Sequence, residues 1–328
     1  MKTQYIKDLQ PRQVFENETF AIYEQSKAED KNGNIYYSLV IGDKTGKLSA
    51  KIWSDALASV DRKAIKEGNV VSVTGKVDEY KGIPQIVIME LRAIDETSLE
   101  EFVESSMFDA EDMYKELLEE IEGITYEPLR KVVKGIVEDK EIAPNLKYWP
   151  AATTVHHDFR SGLLQHILEM ITVAKGLERF YPDVDFDILT AGIVLHDLGK
   201  IYELDGKNLA VPYTKVGQLF GHIYMGTRLF EEHAKKAKLD EDVKDHVMHL
   251  ILSHHGVLEY GSPVVPATPE AILLTNIDNV SAKARTADKA LKEIGSDDEF
   301  GKRNFFLENT KIWNRKKVSN NDDQMQLV

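Results

Sequence analysis

The stretch AGIVLHDLGK, Ala191 to Lys200, is an apolar run that ends abruptly in a histidine and an aspartate. Its apolar residues predict a helix that enters a protein core, with His196 and Asp197 at the buried end of that helix. Buried imidazole and carboxylate groups need a partner, because they lose their hydration without compensation. The pair therefore predicts a divalent metal ion, although a single His-Asp dipeptide also occurs by chance on many protein surfaces.

All ten histidines of the chain fall between His156 and His255. Histidines with general surface or core roles would be scattered along the sequence, so this clustering favours a common site. The residues with metal-ligand chemistry, each on or at the end of a predicted helix, are His166, His196, Asp197, His222, His254, His255 and Asp278. Asp278 lies inside an apolar helical segment, where a carboxylate is costly unless it is paired or metal-bound. The pattern predicts separated helices that converge on one point.

The order of these residues, H…HD…H…HH…D over roughly residues 150 to 300, resembles the HD-domain phosphohydrolase superfamily. The resemblance implies an all-α domain that holds two metal ions, with Asp197 as the carboxylate between them. As a hypothesis, we assign His166, His196 and Asp278 to one ion, and His222, His254 and His255 to the other. Lys200 would contact the scissile phosphate, or would be an ordinary cation at a helix terminus.

The composition bounds the class of protein. With 328 residues, 42% of them hydrophobic, the chain is long enough for two globular domains. The absence of cysteine excludes disulfides, a thiol nucleophile and thiolate ligands, so nitrogen and oxygen atoms must hold any metal. The sequence shows neither an apolar leader nor a membrane-spanning run, and we expect a cytoplasmic protein.

Charge divides the chain into parts. The net charge of −14 argues against bulk attraction to nucleic acid. Residues 1–95 carry 14 basic and 14 acidic residues, whereas residues 96–149 carry 6 and 15. Together with an amphipathic pattern that includes Phe102, this predicts an acidic helical connector over 96–149, between a front domain (1–95) and a back domain (150–312). The polar residues 313–328 predict a disordered tail.

Alternating apolar runs predict β-strands in the front domain. The runs Ile35–Ile41 and Leu48–Trp53 are joined by Asp-Lys-Thr-Gly, a typical hairpin sequence. Five short strands, with a helical interval over Ser54–Lys66 between the third and the fourth, predict a five-stranded OB-fold β-barrel. The predicted fold class is therefore a multi-domain α and β protein, with an N-terminal OB-fold barrel followed by an all-α HD domain.

OB-fold barrels bind single-stranded nucleic acid by stacking bases on aromatic side chains and by contacting phosphates with cations. Candidates for these contacts in the front domain are Tyr36, Tyr37, Trp53, Tyr80, Lys51, Lys76 and Lys81. Alternating aromatic residues in strands are also typical of core packing. We therefore expect roughly half of the four aromatic candidates to be buried. The same barrel binds sugars and proteins in other molecules, so the fold alone does not decide the ligand.

The sequence contains one ordered series of features, which are the predicted barrel, an H-H-x-F…H motif, HDLGK, GH, SHHG, a GSP loop and Asp278. In this order the whole chain resembles the bacterial YhaM-type 3′-to-5′ exoribonucleases. The resemblance implies a nuclease that uses two Mn²⁺ ions, or alternatively Mg²⁺, Co²⁺ or Fe²⁺, and releases nucleoside 5′-monophosphates from the 3′ end of a single strand. The implied partner is single-stranded RNA, with single-stranded DNA and a second copy of the chain as further candidates and no membrane.

The same resemblance assigns roles to the segment before the first ligand helix, because the run H-H-x-F-x-x-G-L-L-x-H belongs to the family's pattern. It implies His157 as a catalytic residue beside Asp197 and Lys200, and His156 and Arg160 as contacts to the RNA. The alternative is that these loop residues cap the helix. Arg160 stands where the family commonly has small glycine-rich residues, so its role stays open.

Other classes of protein share parts of this pattern. An HD-type nucleotide phosphohydrolase or a cyclic-dinucleotide phosphodiesterase of the HD-GYP kind would explain the ligand residues, and HHGVLEYGSP resembles a distant HHE…GYP loop. Neither explains the barrel, and the GYP sequence itself is absent. A non-catalytic single-strand-binding protein would explain the barrel but would leave seven metal-type residues without a role.

Overall fold

The computed structural model describes residues 2–80, 83–94, 101–152, 159–208, 211–295 and 298–315. Within these residues the chain forms a closed β-barrel, a helical domain and a short C-terminal β-hairpin. The predicted order of a five-stranded barrel followed by helices is confirmed. None of the described helices combines the length and the apolar composition needed to cross a membrane.

The barrel contains five strands, which are β1 (Val14–Glu29), β2 (Ile35–Asp43), β3 (Gly46–Ile52), β4 (Val70–Tyr80) and β5 (Ile83–Ala93). They close in the order β1-β2-β3-β5-β4, because the long β1 pairs with β4 over its first half and with β2 over its second. The predicted hairpin between β2 and β3 forms at the Asp-Lys-Thr-Gly turn. There the carboxylate of Asp43 accepts hydrogen bonds from the backbone N–H and the hydroxyl of Thr45, at 2.9 and 2.6 Å.

The interval between β3 and β4 differs from the predicted helix over Ser54–Lys66. It forms a 3-10 helix at Ser54–Ser59, and Val60 then makes a β-bridge with Leu91 of β5. The N–H of Asp61 also donates to the carbonyl of Leu91, at 2.8 Å. Because these backbone groups pair with the barrel, an α-helix does not continue through the interval.

The helical domain is built from α1 (Ala110–Glu122), α2 (Glu127–Val137), α3 (Ile142–Leu146), α4 (Gly162–Glu178), α5 (Phe186–Leu195), α6 (Lys200–Glu203), α7 (Lys215–Ala237), α8 (Glu241–Ser253) and α9 (Pro269–Lys292). One hydrophobic core includes buried residues of the predicted connector together with residues of the predicted back domain. Leu117 of α1 and Val133 of α2, for example, are buried in the same cluster as Leu164, Val194 and Leu274. All three helices within the connector, α1, α2 and α3, therefore contribute to the core of the helical domain.

The helical pattern over Ser98–Ser106 predicts a helix before α1. The described residues of this segment, from 101 onward, do not form an α-helix. Phe102 is buried against Ala21 and Val70 of the barrel, and its carbonyl accepts a hydrogen bond from the hydroxyl of Tyr23. The backbone of Arg160 bonds to the carbonyl of Glu104 and to the N–H of Ser106, each at 2.9 Å. Since these groups pair with the barrel on one side and the helical domain on the other, they are not available to a helix.

A β-hairpin follows α9, where the sequence predicts the end of the back domain and a polar tail. Its strands are β6 (Phe300–Asn304) and β7 (Thr310–Trp313), which pair antiparallel and pack against α9. The predicted tail boundary at residue 313 therefore falls inside β7. Residues 316–328 lie outside the described part of the chain.

We predict that Phe102→Ala destabilises the protein far more than Phe108→Ala. Phe102 is buried against Ala21 and Val70 of the barrel, so the substitution removes apolar contacts and leaves a cavity, at a cost of about 3 to 5 kcal/mol. Phe108 lies in the same segment but is exposed, and its replacement should cost about 0.5 kcal/mol or less. Urea unfolding followed by circular dichroism measures both changes, and equal small losses would show that Phe102 does not anchor this segment to the barrel.

Candidate metal centre

Five helices bring the predicted ligand residues to one buried point. Residue His166 lies on α4, His196 and Asp197 follow α5, His222 lies on α7, His254 and His255 follow α8, and Asp278 lies on α9. The carboxylate of Asp197 is at the centre of the cluster. Its Oδ2 lies 3.4 Å from Nε2 of His196 and 3.8 Å from Nε2 of His166. Its Oδ1 lies 3.5 Å from Nε2 of His222 and 3.7 Å from Nε2 of His254. Each carboxylate oxygen thus faces a different pair of imidazoles.

The donor atoms fall into two groups, each within 4.8 Å. One group contains His222, His254 and His255, and the other contains His166, His196 and Asp197. Asp278 adjoins the second group, since its Oδ1 lies 3.2 Å from Nε2 of His166. Both groups keep together the histidines that our hypothesis from the sequence assigns to one ion. The ligation of a metal by each residue stays a prediction.

The other ring nitrogen of each histidine is held by an acceptor. Three Nδ1 atoms contact backbone carbonyls: that of His196 contacts Ile193 (2.8 Å), that of His254 contacts Ile251 (2.7 Å) and that of His255 contacts Tyr260 (2.8 Å). The other two contact side chains: Nδ1 of His222 lies 3.0 Å from Oε1 of Glu203, and Nδ1 of His166 lies 3.0 Å from Oγ of Ser281. A proton held on Nδ1 leaves the Nε2 lone pair directed at the centre, which is the tautomer that a metal requires.

Two of these supporting residues, Glu203 and Ser281, are absent from the sequence predictions. Ser281 lies three residues after Asp278, so helical spacing could have placed both on one face of α9. The Ser281 hydroxyl donates its hydrogen to Glu169, which pairs with Arg285. The oxygen of this hydroxyl can therefore accept a hydrogen bond from Nδ1 of His166. No spacing signal identifies Glu203, because its contact with His222 depends on how α7 folds back onto α6.

Several buried polar atoms of the cluster have no hydrogen-bond partner among the described residues. They are Nε2 of His196, His222 and His254 and Oδ1 of Asp197. Buried polar groups are normally paired, and an atom left unpaired costs free energy. A divalent cation at the centre would accept lone pairs from all four atoms, and a donor set of nitrogen and oxygen suits such an ion. The residues present therefore fit a divalent metal site.

The electrostatics of the cluster favour the metal-binding forms of His254, His255 and Asp197. Burial holds the pKa of His254 well below its ordinary value, and the neighbouring His196 lowers it further. Burial and the nearby His222 likewise lower the pKa of His255. Burial alone would raise the pKa of Asp197, but Lys200, with Nζ 2.6 Å from Oδ2, and His196 hold it well below the usual range. The Asp197 carboxylate is therefore ionised, and His254 and His255 are neutral at neutral pH. Burial alone would lower the pKa of His196, but the adjacent Asp197 raises it.

Close backbone packing sets the position of His222 beside Asp197. A Cβ at Gly199 would lie 2.0 Å from the carbonyl oxygen of His222 and 2.8 Å from the nitrogen of Gly226. The turn after Asp197 therefore touches the backbone of α7 directly. Gly221 has φ of +71° and bends α7 just before His222, whose N–H donates to Oε1 of Glu203 at 2.9 Å. A glycine at each of these two positions permits this geometry.

The segment before α4 is only partly described. His156 and His157 lie outside the described residues, so the structure says nothing of their predicted roles. Arg160 is half-buried, with its guanidinium 4.3 Å from the ring centroid of Tyr148 and with an Nε that has no hydrogen-bond partner among the described residues. It lines a cleft of about 520 Å³ between the barrel and the helical domain. Its predicted contact with RNA stays a prediction.

The predicted aromatic residues of the barrel separate into a surface group and a packed residue. Tyr36 and Trp53 stack with ring centroids 5.1 Å apart, and Nζ of Lys51 lies 5.0 Å from the Tyr36 ring. Trp53 is 39% exposed. Tyr37 packs against the barrel core instead. The side chain of Tyr80 and the whole of Lys81 lie outside the described part of the chain.

Comparisons with known proteins agree with this architecture. The HD domain family matches residues 163–283, and a family described as an OB-fold nucleic acid binding domain matches residues 23–94. The 3′-5′ exoribonuclease YhaM of Halalkalibacterium halodurans is 35% identical over 84% of this chain and 85% of its own length. The protein of the same name from Bacillus subtilis is 34% identical over 89% of this chain and 92% of its own.

We predict opposite effects for two glycine substitutions in the helical domain. Gly199→Ala should destabilise the protein and weaken metal binding, because the new Cβ must push α7, and His222 with it, away from Asp197. Gly176→Ala, at an exposed position of α4 with open space around it, should stabilise by about 0.5 to 1 kcal/mol. The measurement is the melting temperature with and without Mn²⁺. A Gly199→Ala variant with an unchanged Mn²⁺-dependent shift would contradict the proposed role of this contact.

Proposed function

This chain belongs to the YhaM family of 3′-5′ exoribonucleases, and we propose that it removes nucleotides stepwise from the 3′ end of single-stranded RNA by metal-dependent phosphodiester hydrolysis. The observation that carries the proposal is the carboxylate of Asp197 among imidazole Nε2 atoms that are buried without hydrogen-bond partners. The OB-fold barrel on the same chain supports a polymeric substrate, because a hydrolase of free nucleotides has no use for a surface that binds single strands.

The two donor groups support a site for two ions. His166, His196 and Asp278 would hold one ion, His222, His254 and His255 the other, and Asp197 would lie between them. When bound, the ions supply an activated water and neutralise charge on the scissile phosphate. We favour Mn²⁺ because the family resemblance implies it. Mg²⁺, Co²⁺ and Fe²⁺ are alternatives, because every donor is nitrogen or oxygen and these ions also accept such donors.

The chain's own residues orient these groups and supply positive charge. Glu203 contacts the ring of His222, and Ser281 contacts the ring of His166. These contacts restrict rotation of the two rings, so both Nε2 atoms stay directed at the centre. Lys200 places a buried ammonium beside Asp197, where it neutralises the carboxylate and is close enough to the centre to attract a phosphate oxygen. On the family pattern we propose His157 as a catalytic residue and His156 as a phosphate contact. Arg160 departs from that pattern, and we propose it as a phosphate contact because it lines the cleft between the domains.

The barrel is proposed to hold the single strand upstream of the end that is cut. Tyr36 and Trp53 offer stacked rings to the bases, and Lys51 offers a cation to the backbone. Both kinds of contact accept any base sequence but require unpaired bases. Neither requires a 2′-hydroxyl group, so we propose single-stranded DNA as a second substrate. A centre enclosed by helices suits the end of a strand better than a duplex that passes across it.

We predict that wild-type protein with Mn²⁺ shortens a 5′-labelled single-stranded RNA to a descending ladder of labelled products. Asp197→Ala should abolish the ladder, because it removes the carboxylate between the two donor groups. The control Asp245→Ala changes an exposed carboxylate and should retain activity. Denaturing gel electrophoresis separates the products. Release of the 5′ label as a mononucleotide, or cleavage of a circular strand, would contradict the proposed polarity, and full activity of Asp197→Ala would contradict the proposed centre.

We predict that Trp53→Ala weakens the binding of a long single-stranded RNA by about 5- to 150-fold, the loss expected for one stacked base. Tyr126→Ala is a matched control, because Tyr126 is also 39% exposed but lies on the helical domain. Fluorescence anisotropy with a 5′-labelled strand in Asp197→Ala protein measures binding without hydrolysis. If Trp53→Ala and Tyr126→Ala bind RNA equally well, this face of the barrel does not hold the strand.

A further inference from the structure

The C-terminal hairpin presents aromatic and basic side chains on one face. In its register Phe300 is opposite Trp313, and Arg303 is opposite Lys311. Directly opposed residues of an antiparallel pair lie on the same face of the sheet, and residues two apart along a strand share that face. Lys311 and Trp313 are two residues apart on β7, so the two opposed pairs lie on the same face of the hairpin. All four residues are exposed. Ile312, on the opposite side, is partly buried.

The charge of the hairpin is opposite to that of the rest of the protein. Residues 300–315 contain four cations and one carboxylate, in a chain whose net charge is −14. The carboxylate, Glu308, pairs with Lys283 of α9 at 2.9 Å, and Arg303 donates to the carbonyl of Asn309 at 3.3 Å. Glu308 is engaged with α9, and among the described residues no carboxylate forms an ion pair with Arg303 or Lys311. Asp298 and Glu299 directly precede the hairpin, and the segment 298–315 still has one more cation than carboxylates. Charge complementarity therefore favours a polyanionic ligand.

The hairpin also places unusual aromatic surface in solvent. Phe300 and Trp313 are 50% and 53% exposed, and Phe305 and Phe306 at the tip are 77% and 54% exposed. The two tip rings meet edge to face, with centroids 5.6 Å apart. Exposed rings interleaved with cations are the chemistry by which proteins bind single-stranded nucleic acid, since bases stack on the rings and phosphates meet the cations.

The hairpin is attached to a helix that carries part of the metal centre. Lys283, which anchors Glu308, lies five residues after Asp278 on α9. At the rise of an α-helix this is a displacement of about 8 Å along the axis. The anchor of the hairpin is therefore less than two helical turns from Asp278 along the axis of α9.

We propose that the hairpin over residues 300–315 is a second binding surface for single-stranded RNA, separate from the barrel, on which bases stack against Trp313 and Phe300 and phosphates contact Arg303 and Lys311. This inference rests on the proposed function, because it takes RNA as the substrate. It assigns to the hairpin the task of keeping the substrate engaged while its end is removed.

The test compares two hairpin variants with a charge-matched control, all as full chains that also carry Asp197→Ala. Arg303→Ala/Lys311→Ala should weaken the binding of a labelled 12-nucleotide RNA and reduce the slope of log affinity against log salt by about 1.4, since each phosphate contact contributes about 0.7. Trp313→Ala should weaken binding by about 5- to 150-fold. The control Lys131→Ala/Lys235→Ala removes the same charge from exposed sites on α2 and α7 and should leave the slope unchanged.

A second measurement separates binding from folding and from self-association. With Asp197 restored, the hairpin variants should lose more activity on the 12-nucleotide strand than on a dinucleotide, and equal losses would overturn the proposal. Unchanged RNA binding would also overturn it, and a change from oligomer to monomer in sedimentation would then assign the hairpin to contacts between copies. If the parent chain with Asp197 shortens no RNA, the proposed function fails, while the binding data still decide whether the hairpin holds a strand.

Discussion

A carboxylate buried among imidazoles is the constraint on which this structure depends. Asp197 is 3% exposed, and its two oxygens face histidines from four different parts of the helical domain. An uncompensated charge at such a depth would cost several kcal/mol. Lys200 compensates part of it, and the remaining lone pairs of the cluster converge on one point, as the ligands of a divalent cation do. The helices must therefore keep their mutual positions for the cluster to exist.

The surrounding packing explains how those positions are kept. The absence of a side chain at Gly199 lets the turn after Asp197 touch the backbone of α7, and the bend at Gly221 brings the N–H of His222 to Glu203. On the opposite side, His166 is held by Ser281, whose hydroxyl donates to Glu169. These contacts restrict ring rotation, so the metal-binding geometry is formed before any ligand arrives.

The two domains are joined by a segment whose described residues, 101–109, form neither an α-helix nor a β-strand. Phe102 fills a pocket on the barrel, while the residues just after it pair with the backbone of Arg160 next to α4. This arrangement holds a surface that can bind a polymer beside a centre that can cut it. The cleft of about 520 Å³ between the domains is lined by both of them, including Tyr23 and Lys47 of the barrel and Arg160 and Lys207 of the helical domain.

The sequence by itself determined the barrel, the helices and the set of residues that meet at the centre, because hydrophobic period and the order of polar residues are local properties of the chain. It also indicated a metal without thiolate ligands, since no cysteine is present. Only the tertiary structure decided which oxygen of Asp197 faces which histidine, and that Glu203 supports His222. The same holds for Phe102 and for the hairpin after α9, whose conformations depend on contacts with residues distant in the sequence. Contacts between residues distant in the sequence produce no periodic pattern along the chain. The partner of such a side chain or backbone N–H therefore cannot be identified from the residues next to it.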